Sequence, residues 1–179
     1  PLHDFLAEEM EVRTEKAIGA LSPEDTDAVL QSAVPVALHV LDEAWTEEDK
    51  ARPRDLDIVL KAPGRRIGIS LCNQKNMVRL AGRFRRLLDL ASDAPEYDRL
   101  ILMRHPRLPI SKGAKKTRLY LEKIQAHRAL FMQPDPEVLA ALRALSSLCA
   151  DARAGDLTND GETLGDGTVR DWLKRHLDE

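Results

Sequence analysis

The sequence predicts an α/β fold in which a mixed central sheet of about four to five strands is flanked by helices. Two β-rich runs, "DLDIVLK" and "RRIGISLCN", enclose "APGR", whose Pro-Gly pair signals a turn and hence an antiparallel hairpin. Two further short apolar runs, "RLILM" and "ALFMQ", each follow an amphipathic helix, the arrangement of parallel crossovers. Both ends of the chain carry apolar residues at helical spacing.

Each element follows from local chemistry. "DFLAEEMEVRTEKAIGAL", residues 4–21, has an apolar stripe through Phe5, Met10 and Val12 to Leu21 and predicts the first helix. Ser22 is placed to cap a second helix, with Pro23 at its first position and Asp25 completing the capping pattern; Pro35 is expected to kink or divide it. "TEEDKARPR", residues 46–54, reads as a connection to the hairpin. In "MVRLAGRFRRLLDLAS", residues 77–92, Met77, Leu80, Phe84, Leu87, Leu88 and Ala91 share one side of a helix. Lys75, Arg79, Arg83 and Arg86 share the other. A strand over 98–105, a loop over 106–113, a helix over 114–128 and a strand over 129–133 follow. Asp135 and Pro136 open a helix that runs to about residue 155. The remainder reads as an acidic loop, 156–167, and a short amphipathic helix, 168–177. Residues 1–155 thus form the expected α/β domain with N-terminal helices, and 156–179 its appendage.

The 179 residues can bury one sizeable core. No apolar run reaches the roughly 18 residues that span a bilayer, so no membrane contact and a cytoplasmic location are expected. Cys72 and Cys149 both sit in apolar elements, which implies neither a disulfide framework nor a zinc site. A chain opening on Pro1 is expected to be part of a longer protein.

The net charge of -3 conceals three blocks. Residues 1–50 hold 3 Lys/Arg against 13 Asp/Glu, a balance of -10; residues 51–128 hold 19 against 7, or +12; residues 129–179 hold 5 against 10, or -5. The basic centre is either a phosphate-binding face or the complement of the acidic ends across the folded surface. Arg79, Arg83 and Arg86, with Lys75 just before them, form one cluster; Lys112, Lys115, Lys116 and Lys123 form a second at the start of the next helix, where a helix N-terminus already favours anions. Only Phe84, Tyr97 and Tyr120 are aromatic in the basic block, so duplex backbone contact fits better than base stacking.

Other site patterns fail. "SKGAKKT" has Leu108 and Ala114 where a phosphate loop needs Gly and Lys. "DLTNDGETLGDG" matches a calcium loop at Asp156, Asp160 and Gly161, but Thr158 and Gly167 replace two ligands. His3, His39, His105, His127 and His176 show no ligand spacing, no nucleophile elbow occurs, and no glycine-rich first turn supports a nucleotide cofactor. No cofactor and no metal are therefore expected.

The element order, with "DLDIVL", "RIGISLCN" and a basic helix in succession, resembles the restriction-endonuclease-like superfamily, the PD-(D/E)XK nucleases, over residues 5–133. The resemblance implies an acid on one core strand and an acid-x-lysine on the next, the carboxylates holding magnesium and the lysine positioning the nucleophile. Asp57 matches the first acid, but Ser70 and Cys72 stand where the second acid and the lysine belong. A hydroxyl and a thiol replace neither group. Lys75 could supply a migrated lysine and Glu8 or Glu11 an acid, yet nothing replaces the acid at Ser70; Asp57 reads equally as a hairpin residue paired with an arginine.

Three functions stay open. The preferred one is a catalytically inactive nuclease-like domain of a larger bacterial-type protein, an accessory module of DNA processing or defence that docks duplex DNA through the basic helices. The second is a protein-interaction, scaffold or homodimerisation domain without nucleic-acid binding, whose acidic N-terminal helices meet the basic centre of a partner or of a second copy. The third is an active magnesium-dependent nuclease with relocated residues.

Overall fold

The computed structural model of the chain describes residues 1–49, 51–93 and 96–176. Lys50, Ala94 and Pro95 of the expected connections, Leu177 of the expected last helix, and Asp178 and Glu179 after it lie outside the described residues. In chain order the elements begin with α1 (Leu2–Ala17), α2 (Pro23–Leu41), β1 (Thr46–Glu47), β2 (Ile58–Ala62), β3 (Arg65–Leu71) and α3 (Met77–Asp93). They continue with β4 (Arg99–Met103), α4 (Lys115–Gln125), β5 (Ala129–Met132), α5 (Pro136–Ala154), β6 (Thr158–Asn159), β7 (Glu162–Thr163) and α6 (Asp166–His176). No helix of the described residues is long and apolar enough to cross a membrane.

The chain groups into two compact units, Ala44–Pro134 and the two flanking segments Pro1–Glu43 and Asp135–Glu179. This differs from a division at 155/156. The apolar faces of α1 and α2 pack against α5 and α6, so the ends of the chain form a helical unit of their own.

In the sheet unit the strand order is β1-β2-β3-β4-β5, antiparallel up to β3 and parallel from β3 to β5, a mixed five-strand sheet as the sequence predicts. Pro63 and Gly64 make the two-residue turn between the paired Ala62 and Arg65, and Gly64 takes a left-handed φ of 69° that a side chain would resist. β3 is central, and its last four residues, Gly68 to Leu71, are buried. α3 and α4 pack side by side over Val59, Leu100 and Leu102 through Leu80, Phe84, Leu87 and Ile124. The apolar stripe of α3 is therefore the core face that its periodicity predicts.

In the helical unit α5 is the central helix, and Leu145, Leu148, Cys149 and Ala152 pack with Leu6, Val40, Val169, Trp172 and Leu173. Ser22 caps α2 by accepting a hydrogen bond from the Asp25 amide. Pro35 does not divide α2; it deprives only the Gln31 carbonyl of its partner, and Gln31 is exposed, where water can serve instead. α1 ends at Ala17, short of the expected residue 21, and Gly19 turns the chain at a φ of 74°. The expected loop after residue 155 instead contains the hairpin β6-β7, turned by Asp160 and Gly161 at φ 50° and 81°, the mirror-image turn that Asp-Gly favours.

Gly68 tests the packing of the sheet. A Cβ there would lie 2.9 Å from both Leu100 Cδ2 and Leu56 Cδ1, and both leucines are buried. Gly68→Ala is expected to lower the unfolding free energy by about 1–3 kcal/mol, read from the denaturant midpoint; an unchanged midpoint would show that the leucines yield freely.

Candidate functional site

The hairpin brings Asp57, Ser70 and Cys72 together. Asp57 precedes β2, and its amide donates to the Ile69 carbonyl at 2.9 Å, extending the β2-β3 ladder by one residue. Its Oδ2 accepts from the Leu71 amide at 2.6 Å, so the carboxylate closes the end of the hairpin. Ser70 and Cys72 are buried at 1% and 0% exposure, and the Cys72 thiol lies 3.5 Å from Ser70 Oγ.

The third group in this site is Arg83, from α3. Its Nη2 donates to Asp57 Oδ2 at 2.6 Å and to the Asp55 carbonyl at 2.9 Å, while its Nε donates to Ser70 Oγ at 2.9 Å. The side chains are 12% and 24% exposed for Arg83 and Asp57, so this is a largely desolvated pair held by several hydrogen bonds. Losing one partner of such a pair leaves an uncompensated charge, at a cost of about 3–5 kcal/mol. One turn further along α3, Arg86 grips the Asp55 carboxylate with two bonds of 2.7 and 2.9 Å. Arg52 adds a hydrogen bond to the Asp57 carbonyl.

The chemistry available here follows from these contacts. Asp57 faces a guanidinium that already occupies its charge. Burial pushes the Cys72 thiol from 9.0 up to about 11, against the pull of its Ser70 hydrogen bond and of Arg83. It is a protonated thiol at neutral pH and neither supplies positive charge nor acts as a nucleophile. Among the described residues no group of three or more His, Cys, Asp and Glu is placed to hold a metal ion. Glu8 and Glu11 belong to α1, in the helical unit.

The two basic clusters separate into committed and exposed residues. Arg83 and Arg86, expected on an open face with Arg79, are instead tied to Asp57 and Asp55. The reason is the long reach of arginine from α3 down to the strand ends, where two carboxylates lie. Arg79 is exposed in the first turn of α3, and Lys75 is exposed in the loop before it, with a contact of its own. Lys112, Lys115 and Lys116 are exposed around the start of α4. Thr117 Oγ1 donates to the Met77 carbonyl at 3.1 Å and so fastens the first turn of α4 to the first turn of α3. This bond brings the turn of Lys115 and Lys116 beside that of Arg79. Lys123 lies eight residues on, about 12 Å along the helix axis, apart from the other lysines.

The two helix starts are chemically different. Asn76 Oδ1 accepts from the Val78 and Arg79 amides and caps α3. α4 has Ala114 at its cap and no side-chain acceptor for its first amides. The Lys115 amide bonds back to the Gly113 carbonyl at 2.9 Å, and Lys112, Lys115 and Lys116 stand exposed around this helix start.

Two contributors were missed by reasoning from the sequence. Thr117 gave no signal, because a threonine in a helix is ordinary. Arg104 did: a charged residue that directly follows an apolar strand needs acceptors. It is 1% exposed and donates to the carbonyls of Cys72, Gln74, Leu108 and Pro109, which fixes the loops leaving β3 and β4. Burial lowers its pKa, yet it stays charged, as arginine does.

Comparison of the chain with protein-family models, with curated proteins and with solved structures returns no match.

Cys72 supplies a pH test. Because its folded pKa lies above its unfolded value, its contribution to stability is complete below about 9 and is lost as pH rises through about 11. Denaturant midpoints measured across that window should fall more steeply for the native sequence than for Cys72→Ala, and parallel curves would place the thiol in a wetter setting.

Proposed function

We propose that the sheet unit is a catalytically inactive, endonuclease-like module that docks on the phosphate backbone of duplex DNA. The observation that carries the docking is the Thr117–Met77 hydrogen bond, which joins the starts of α3 and α4. Lys75, Arg79, Lys112, Lys115 and Lys116 are exposed around that junction. The inactivity is supported by Arg83, whose guanidinium satisfies Asp57 and Ser70 together. An active nuclease with relocated residues would first have to displace it.

Backbone contact rather than base stacking is supported by the aromatics of the basic segment. Phe84 and Tyr97 are buried and Tyr120 is half-buried, so none offers a flat exposed ring. Arg83 and Arg86 take no part in phosphate contact, and Lys123 takes a lesser one.

Fluorescence anisotropy with a labelled duplex tests this. Affinity should fall steeply with salt, with a log–log slope of about -3 to -5 for four or five phosphate contacts. Combined Lys112→Ala, Lys115→Ala and Lys116→Ala should weaken binding at least tenfold at low salt, roughly as expected for three lost phosphate contacts, and Lys123→Ala should weaken it far less. The duplex should remain uncut with magnesium present. Absence of binding at low salt would overturn the docking, and magnesium-dependent cleavage abolished by Asp57→Ala would overturn the inactivity.

A further inference from the structure

The helical unit contains a cavity that the docking surface does not use. It measures 630 Å³, within the size range of small-molecule sites, and lies chiefly between α1 and α5. Small residues keep it open: Ala17, Ala20, Ala144 and Ser147 line it where larger side chains would close the helices together. Arg13 forms a fixed wall. Its guanidinium donates to Glu9 at 2.9 and 3.1 Å, to Asp151 at 2.6 Å and to Ser147 Oγ at 2.6 Å. The Arg13 charge is therefore already answered by two carboxylates.

Two other cations line the same cavity from opposite helices, Lys16 of α1 and Arg143 of α5. Neither has a hydrogen-bond or ion-pair partner among the described residues. Ser147 accepts from Arg13 and donates to no described group, so its hydroxyl proton is available to a ligand. Val12, Ala17 and Ala144 give the lining an apolar part. The one carboxylate of the lining not bound to arginine is Asp25, which accepts from Ser22 Oγ at 2.8 Å at the α2 side. That negative charge opposes a dianion more than a monoanion.

We propose that this groove binds a small organic monocarboxylate, its carboxylate held by Lys16, Arg143 and the Ser147 hydroxyl and its compact apolar body against Val12, Ala17 and Ala144. The two unpaired cations supply the attraction, the pinned Arg13 gives a preorganised boundary, and Asp25 sets the preference against doubly charged phosphates.

Benzoate is a suitable probe, with benzyl alcohol as its uncharged counterpart and inorganic phosphate as the multiply charged anion. In backbone NMR titrations of the full chain, benzoate should give saturable shifts confined to α1 and α5 by about 10 mM, a modest affinity for so small a ligand. Lys16→Gln and Arg143→Gln should each weaken it roughly tenfold, the loss of one charge-assisted hydrogen bond. Both residues are exposed, so thermal melts of the variants should match the native chain, while Lys115→Gln should leave benzoate binding unchanged. Shifts that fail to saturate, that survive in both variants, or that benzyl alcohol reproduces would overturn the site. Phosphate binding as tight as benzoate would overturn the monocarboxylate assignment.

Discussion

The sheet unit depends on the Arg83 guanidinium. It joins three parts of the chain that are distant in sequence: the segment entering β2 through Asp55 and Asp57, the buried end of β3 through Ser70, and α3, which carries it. A buried arginine is tolerated only when its donors are matched, and here a carboxylate, a hydroxyl and a carbonyl match them. Arg86, one turn later on α3, adds two hydrogen bonds to the Asp55 carboxylate and ties the same helix to the same segment. What resembles a catalytic constellation by position is, by its bonding, a cross-link.

This accounts for how the basic segment spends its charge. Arg66 pairs with Glu48 and Glu96 and lies over Tyr97, Arg104 gathers four carbonyls, and Arg118 holds the carbonyls of Ile110 and Ser111. Arginine is the residue used internally, since its planar fork meets several acceptors at once. The lysines of the α4 start have no such geometry and stay at the surface. The surplus of +12 thus overstates the free cationic surface.

Much of the fold was legible in the sequence. Pro63-Gly64 announced the hairpin, the spacing of Leu80, Phe84 and Leu87 announced the buried face of α3, and the alternation of strand and helix announced parallel pairing. The β6-β7 hairpin was also written in Asp160-Gly161, but two-residue strands carry too little apolar pattern to be read. The division into units was not legible, because an amphipathic helix shows that it has a buried face and not which surface covers it. The motif positions Asp57, Ser70 and Cys72 were found from the sequence, whereas Arg83 was placed with Arg79 and Arg86 on a phosphate-contacting face. Helical spacing places arginines on a face, and only the tertiary structure shows that two of them reach carboxylates at the strand ends.

Arg83 and Asp57 act as one structural unit, and a double-mutant cycle measures their coupling. Unfolding free energies would be determined by denaturant titration for Arg83→Met, Asp57→Asn and the double variant. Arg83→Met alone is expected to cost about 3 kcal/mol or more, and the double variant to be more stable than the sum of the single losses by about 2 kcal/mol. Additive losses, or a single loss below about 0.5 kcal/mol as for exposed pairs, would contradict it.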